Sequence, residues 1–315
     1  MLSVFFNAVM AVIVLLLLML VGYCMGWAKW MGAEEKKFLG KYIINIAVPC
    51  NCLVGLLNNL DRNMLAEAGM MLLSCILGVV INFLIGMVLA TALKLPRNRW
   101  GVFVSMLALS NTIFIGLPLC TQLFGEVCTP YIMLYYLSNT IFTQSLAVIL
   151  VERAGTRPGK KQSVGGFFKD VFTKPPIVAV VVSLILLIAG IRPPELVMVF
   201  SKYISNSVSP LALIYCGYIV YELGLKNLRF ERGLGIMVVF RLVVSPVICA
   251  GLCALFGISG LPHDVFVVGA GLPVVSQIAV MAGSYGADDK YAATGATLST
   301  FGCFLTIPVL MVLLG

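Results

Sequence analysis

Charged residues and histidine are scarce in this sequence, and their scarcity limits the chemistry that the chain can perform. Charged residues make up 11% of the 315 residues, and the one histidine is His263. No Asp or Glu falls in the middle of a long apolar run. Because a membrane-embedded enzyme needs a clustered acid, base, nucleophile or metal set, the sequence argues against catalysis, against a metal site and against a proton relay.

The cysteines and the basic residues also exclude classes of function. The ten cysteines fall almost entirely within apolar runs, and no CxxC pair occurs. Buried free cysteines pack as small apolar side chains, so we predict no disulfide framework. No basic stretch is interleaved with aromatic residues on a hydrophilic surface, which excludes nucleic acid as a partner.

Apolar residues dominate what remains. They make up 61% of the chain, and the mean hydropathy is +1.05. A helix needs about 17 to 25 apolar residues to cross the hydrocarbon core. Ten runs of about this length lie at 2–27, 38–59, 68–93, 100–124, 128–151, 175–191, 196–221, 233–257, 263–285 and 290–314. The sequence therefore predicts an all-α integral membrane protein with ten transmembrane helices surrounded by lipid.

The basic residues predict how these helices are oriented. Of the 21 Lys and Arg, all but Arg62, Arg192 and Lys202 lie in or beside the loops that follow odd-numbered runs. Basic loops stay in the cytoplasm, so we predict a multi-pass protein of the plasma (inner) membrane with both termini outside. The net charge of +8 is mainly this topology signal. Arg241, about two turns into the eighth run, is expected to snorkel to the cytoplasmic face rather than to face a substrate path.

A short hydrophilic linker at 152–174 divides the chain into two halves, 1–151 and 175–315, with five predicted helices each. An odd number of helices makes the two halves insert with opposite orientations, which is the arrangement of an inverted repeat. Prolines recur at matching places, with Pro49 and Pro210 in the second helix of each half and Pro118 and Pro273 in the fourth. The sequence therefore predicts two inverted five-helix repeats.

The stretch "LSNTIFIGLPLCTQLFG" at 109–125 is unusually polar for a membrane helix. A proline inside a helix frees the carbonyl four residues back, so we expect breaks near Phe114 and Gly269, with the two helices crossing near Pro118 and Pro273. Freed carbonyls persist in a membrane where they face protein or a watery cavity. Gly116 would let another segment approach closely.

Polar donors stand beside this predicted break. Asn111 and Thr112 supply amide and hydroxyl groups, and the N-terminus of a half-helix adds a positive field. The pattern predicts a site for an anion such as a carboxylate, held without a full positive charge.

The same stretch resembles the fourth helix of the auxin efflux carrier family, in which an Asn-Thr pair precedes Gly-x-Pro. "NIAVPCNCLVGLLNN" is similar to the family's second helix, and "GLPVVSQIAVMAGSYGADDKYAATGATLSTFGCFLTIPVL" to its ninth and tenth. The resemblance implies a fold related to bile acid and sodium symporters, with the fourth and ninth helices broken and crossing. It also implies a homodimer that moves small organic carboxylates by an elevator-type motion.

By this resemblance the binding residues are Asn111, Thr112, Asn139, Ser276 and Gln277. Two departures from the plant carriers matter. The long cytosolic loop is replaced by the short linker, so regulation by that loop is not expected. The pair that follows Val275 also differs from the plant pattern, which favours a mono- or dicarboxylate metabolite over auxin.

Several alternatives stay open at this point. Asn139 is either a ligand or an interhelical hydrogen-bonding residue, and Asn51 is expected to be the latter. A channel, a membrane-embedded enzyme and a sodium-coupled symporter of another organic solute are the competing functions. No cofactor is predicted, and coupling to sodium, to a proton carried by the substrate, or to no ion is equally compatible with the residues.

Overall fold

The computed structural model describes residues 2–59, 62–156, 173–224 and 230–314, without the side chains of 2–5, 7 and 62–66. The predicted linker at 152–174 therefore lies largely outside the described residues. Those residues form helices and no β-strand. We number the helices α1 to α12 in chain order: Leu2–Trp27, Ala33–Asn59, Arg62–Ala92, Arg97–Ala108, Thr112–Phe124, Glu126–Ala154, Pro175–Ala189, Glu195–Leu223, Leu234–Leu255, Leu261–Ala270, Gln277–Tyr285 and Asp289–Leu314.

Seven of these helices are long and apolar enough to cross a membrane, namely α1, α2, α3, α6, α8, α9 and α12. The three shorter apolar helices are α5, α7 and α10. The predicted fourth run corresponds to α4 followed by α5, and the predicted ninth run to α10 followed by α11. The prediction of an all-helical membrane protein is confirmed, whereas the ten-helix inverted repeat stays a prediction.

Close contact between α1 and α8 depends on glycine. A Cβ atom on Gly217 would overlap the backbone carbonyl of Met19, and one on Gly22 would overlap that of Ile214. Membrane helices associate through small residues because lipid gives no hydrophobic drive for two apolar helices to meet. The reciprocal glycines therefore set the separation of these two helices.

Prolines inside the helices are accommodated by wide π turns. Pro49, Pro118 and Pro246 each lie two residues after a five-residue π turn, at Ile43–Ala47, Thr112–Gly116 and Phe240–Val244. A π turn bonds each N–H to a carbonyl five residues back. The proline that follows it therefore sits in the first turn of a new α-helical segment, where a missing N–H costs little.

The two breaks differ from the prediction in position and cause. In the ninth run the break covers Gly271 to Ser276 and contains Pro273, as expected. In the fourth run the chain is extended at Leu109, nine residues before Pro118. The expectation that Pro118 breaks its helix near Phe114 is wrong, because the helix continues through the π turn and this proline lies in the first turn of the α-helical segment that follows.

An ion cluster joins three segments of the chain. Arg99 contacts Glu231 and lies 2.6 Å from Asp288, and its guanidinium stacks 5.0 Å from the ring centroid of Tyr291. Partial burial lowers the pKa of Arg99, but the hydrogen bonds and charges of Asp288 and Glu231 outweigh burial and raise it above its ordinary value. The cluster joins the start of α4 to the starts of α9 and α12.

Candidate functional site

The two helix breaks are hydrogen-bonded directly to each other. Ser110 and Val274 form an isolated antiparallel bridge. The N–H of Asn111 donates to the carbonyl of Pro273 at 2.8 Å, and the N–H of Val275 donates to the carbonyl of Leu109 at 3.3 Å. Because broken helices leave polar backbone groups that lipid cannot satisfy, each break supplies partners for the other. We call this meeting point, 109–111 with 271–276, the crossing.

Polar side chains complete the hydrogen bonding of the crossing. The Oδ1 atom of Asn139 in α6 accepts the N–H of Ser110 at 2.9 Å, and its Nδ2 donates to the carbonyl of Tyr135 at 3.0 Å. The hydroxyl of Ser110 donates to the carbonyl of Gly269 at 3.0 Å. Asn139 therefore stabilises the interruption of the helix that follows α4.

Arg241 corrects two expectations from the sequence. It is fully buried, so it does not snorkel to a surface. Its Nε donates to the carbonyl of Leu272 at 2.9 Å, its Nη1 to that of Leu107 at 3.0 Å, and its Nη2 to the hydroxyl of Ser110. A full positive charge thus stands directly behind the crossing, contrary to the expectation of donors without charge. Distance along the run could not reveal which face of α9 carries this side chain.

A cavity of about 770 Å³ opens in front of the crossing. Its inner end is lined by all five predicted binding residues, which are Asn111, Thr112, Asn139, Ser276 and Gln277. The N-terminus of α5, capped by the side chain of Asn111, and that of α11, which directly follows Ser276, both lie at this wall. The positive ends of two helix dipoles therefore meet at one polar surface.

The predicted residues take different parts in this wall. Asn111 donates through Nδ2 to the hydroxyl of Ser276 at 3.3 Å and accepts the N–H of Phe114 at 3.3 Å. Gln277 is exposed to the cavity, and its side chain has no hydrogen bond to the described residues. Thr112 is buried at the wall.

The helix-breaking residues lie behind this wall. Gly116, Pro118 and Pro273 do not line the cavity. A Cβ atom on Gly116 would overlap the side chain of Leu272. The expected close approach at Gly116 is therefore present, made by a side chain of the second break rather than by another backbone.

The mouth of the cavity is basic. It is lined by Lys36, Lys37, Lys41 and Lys174, and by Glu222 as the one carboxylate among the described lining residues. Glu222 is paired with Lys36 at 2.6 Å. The other three lysines form no ion pair within the described ranges. A mouth with excess positive charge raises the local concentration of anions.

Sequence reasoning missed part of the lining. Phe114 and Tyr215 stack face to face on one side, with ring centroids 4.7 Å apart. Phe114 belongs to the quoted polar stretch, but nothing in the sequence around Tyr215 indicates that α8 brings it opposite. Asn51, by contrast, was interpreted correctly, since it donates to the hydroxyl of Ser205 at 2.9 Å in a buried interhelical contact.

A helical membrane protein whose polar cavity ends at two interrupted helices has the features of a membrane transporter. The family described as membrane transport protein matches residues 7–311 of the chain. The chain belongs to this family, which includes the auxin efflux carriers, so the resemblance read from the motifs is confirmed. The family is one of transporters, not of enzymes.

Two archaeal relatives match over nearly their whole length. An uncharacterized transporter of Methanocaldococcus jannaschii is 26% identical over 94% of this chain and 95% of its own. An uncharacterized transporter of Methanothermobacter thermautotrophicus is 24% identical over 99% of this chain and 100% of its own. This chain is similar to both in overall length and in family.

Proposed function

We propose that the protein is a carrier of small organic anions, namely mono- or dicarboxylates, and that the anion binds at the inner end of the cavity. The observation that carries the proposal is the composition of this wall. Two helix N-termini and the side chains of Asn111, Thr112, Ser276 and Gln277 offer hydrogen-bond donors, and no carboxylate of the described residues lies beside them. Such a surface stabilises an anion and disfavours a cation.

The lysines at the mouth support the same choice of substrate. Lys37, Lys41 and Lys174 attract anions toward the cavity. By the positive-inside rule these lysines face the cytoplasm, so the proposed state is open to the inside with both termini outside. The stacked rings of Phe114 and Tyr215 offer an apolar surface for the hydrocarbon part of a substrate.

The packing of the helices supports alternating access by movement of one group against another. Helices α1, α2, α7 and α8 pack among themselves, as do α3, α4, α6 and α9, and α12 packs on both α11 and α1. The cavity is lined from both groups. We propose an elevator-type motion of the group that contains the crossing, in a homodimer built from two inverted five-helix repeats.

A thermal-shift screen tests the substrate class. The purified protein is heated with single mono- and dicarboxylates, and with amines and neutral analogues as comparisons. We expect stabilisation by at least one carboxylate, followed by saturable uptake of that compound into liposomes. Stabilisation by cationic or neutral solutes alone, or flux that does not saturate, would contradict a carboxylate carrier.

Substitution of Asn111 tests the position of the site. A hydrogen bond to a charged group contributes roughly 1.5 to 3 kcal/mol, so Asn111→Ala should weaken carboxylate binding by about 10- to 150-fold. Asn111→Asp should be worse because it opposes two negative charges at low dielectric, and Thr112→Val should cost less. Asn98→Ala, on the exposed surface of α4, is the matched control. Parental binding by Asn111→Asp would place the carboxylate elsewhere.

A further inference from the structure

Arg241 is bound to both interrupted helices at once. It lies in the π turn of α9, and its guanidinium reaches Leu107 at the end of α4 and Leu272 just after α10. Its third contact is the hydroxyl of Ser110 in the crossing. Two backbone carbonyls and one hydroxyl, from the segments at 107–110 and at 272, thus converge on a single cation.

The carbonyl of Leu107 belongs to the last turn of α4, and that of Leu272 lies two residues beyond the end of α10. The last carbonyls of an α-helix lack N–H partners and carry the negative end of the dipole. Helices α4 and α10 both end at the crossing, so their negative ends lie close to the guanidinium of Arg241. A cation placed there is stabilised by two dipoles.

Arg241 forms no ion pair with a carboxylate in the part of the chain that the structure describes. Its side chain is completely buried. A buried charge without partners is very costly. Its stability here must therefore come from the neutral oxygens and the helix ends that surround it.

Half-helix C-terminal ends and unwound carbonyls are the groups with which transporters of broken-helix architecture coordinate a coupling sodium ion. We infer that Arg241 is a resident cation that occupies the place of a coupling sodium ion behind the crossing. A guanidinium is always protonated and is covalently attached. It supplies the positive charge that holds the two helix ends together, but it cannot leave during a transport cycle.

One consequence concerns energy coupling. Because the oxygens that would bind sodium are already occupied, no sodium gradient can act through this position. The inference concerns the back of the crossing and not the cavity, so it does not depend on the identity of the substrate. It can be tested without any substrate, and failure to find a carboxylate ligand would leave it standing.

The experiment measures thermal unfolding of the purified protein in equal concentrations of sodium, potassium or choline chloride. We expect the melting temperature of the parent protein to be the same in all three salts, and we expect the same independence of salt for Arg241→Lys. Arg241→Ala should melt lower in choline by roughly 5 °C or more, because three acceptors lose a charged donor. Sodium, or methylguanidinium at low concentration, should restore part of this loss. Arg192→Ala, an exposed arginine, should show neither effect.

Two results would overturn the inference. The first is stabilisation of the parent protein by sodium over potassium and choline, which would mean that a sodium site exists beside Arg241. The second is an Arg241→Ala variant as stable as the parent in choline and indifferent to sodium. If Arg241→Ala cannot be purified, Arg241→Lys and Arg241→Gln are compared instead. Recovery of the lysine variant but not the glutamine variant would support the need for a positive charge at this position. Equal stability of these two variants would refute that need. If none is recovered, the parent's response to sodium decides.

Discussion

Replacing Asn139 with alanine separates a structural role from a ligand role. In the structure the side-chain oxygen of Asn139 accepts the N–H of Ser110, which has left the helical ladder of α4. Ser110 is buried, with 2% of its surface exposed, so its N–H depends on this side-chain partner. Asn139→Ala therefore leaves one buried backbone donor unsatisfied.

The expected cost follows from counting the groups that lose a partner. The carbonyl of Tyr135 loses the Nδ2 donor of Asn139 but keeps the hydroxyl of Ser138 at 2.7 Å. The penalty is therefore mainly that of the Ser110 N–H, roughly 1 to 3 kcal/mol for a buried unsatisfied group. At about 2 to 4 °C for each kcal/mol, the melting temperature should fall by roughly 2 to 12 °C.

The cysteines supply the assay. Eight of the ten are buried and all are free, so a fluorogenic maleimide reports unfolding as they become exposed. Asn45→Ala is the matched control, because Asn45 lines the same cavity with an exposed side chain that has no hydrogen bond to the described residues. It should melt with the parent. If Asn139→Ala also melts with the parent but binds carboxylates more weakly, Asn139 is a ligand and does not hold the crossing.

Three further predictions follow from the packing, the ion cluster and the charge distribution. Gly217→Val should prevent the close contact between α1 and α8, so most of the protein should fail to fold. Gly251→Ala, whose added Cβ meets no atom within 4 Å, should fold as well as the parent. The yield of folded protein from size-exclusion chromatography measures both. Asp288 caps the N-terminus of α12, since it accepts the N–H of Tyr291 at 3.0 Å, and it also pairs with Arg99. Asp288→Asn should therefore lower the melting temperature, by a loss of roughly 0.5 to 2 kcal/mol. The exposed neighbour Asp289→Asn should lower it less, and an equal loss would contradict the capping role of Asp288. Single cysteines at Ser3 and Ser163, in a background without other reactive thiols, should be labelled in intact cells by an impermeant maleimide at position 3 and not at 163.

The sequence revealed those features whose causes are local. Pro273 has no N–H and disfavours a helical conformation at the preceding residue, so the second break was predicted near Gly269, next to the observed break at 271–276. The polar triplet Ser110, Asn111 and Thr112 lies at the first break, although the sequence analysis used Pro118 and placed that break near Phe114. All five predicted binding residues consequently line one cavity.

Features that depend on distant contacts were not predictable in the same way. No proline or glycine lies at 109–111. The helix is interrupted there because Asn139, Arg241 and the second break bind the polar groups of this segment. The π turn at Phe240–Val244 changes the face on which Arg241 lies. A helical wheel drawn from the sequence cannot contain that rotation, which is why the snorkelling interpretation failed.

The crossing also has a consequence for how the chain is made. Its two sides come from opposite halves, with Asn111 and Ser276 separated by 165 positions. While the N-terminal half emerges from the ribosome, the polar groups at 109–111 lack the partners that α10 and α11 later bring. Unsatisfied backbone groups are costly in lipid, so the fourth run enters the bilayer either as a continuous helix or shielded by the insertion machinery. We expect the hydrogen bonding of the crossing to be completed when the ninth run arrives.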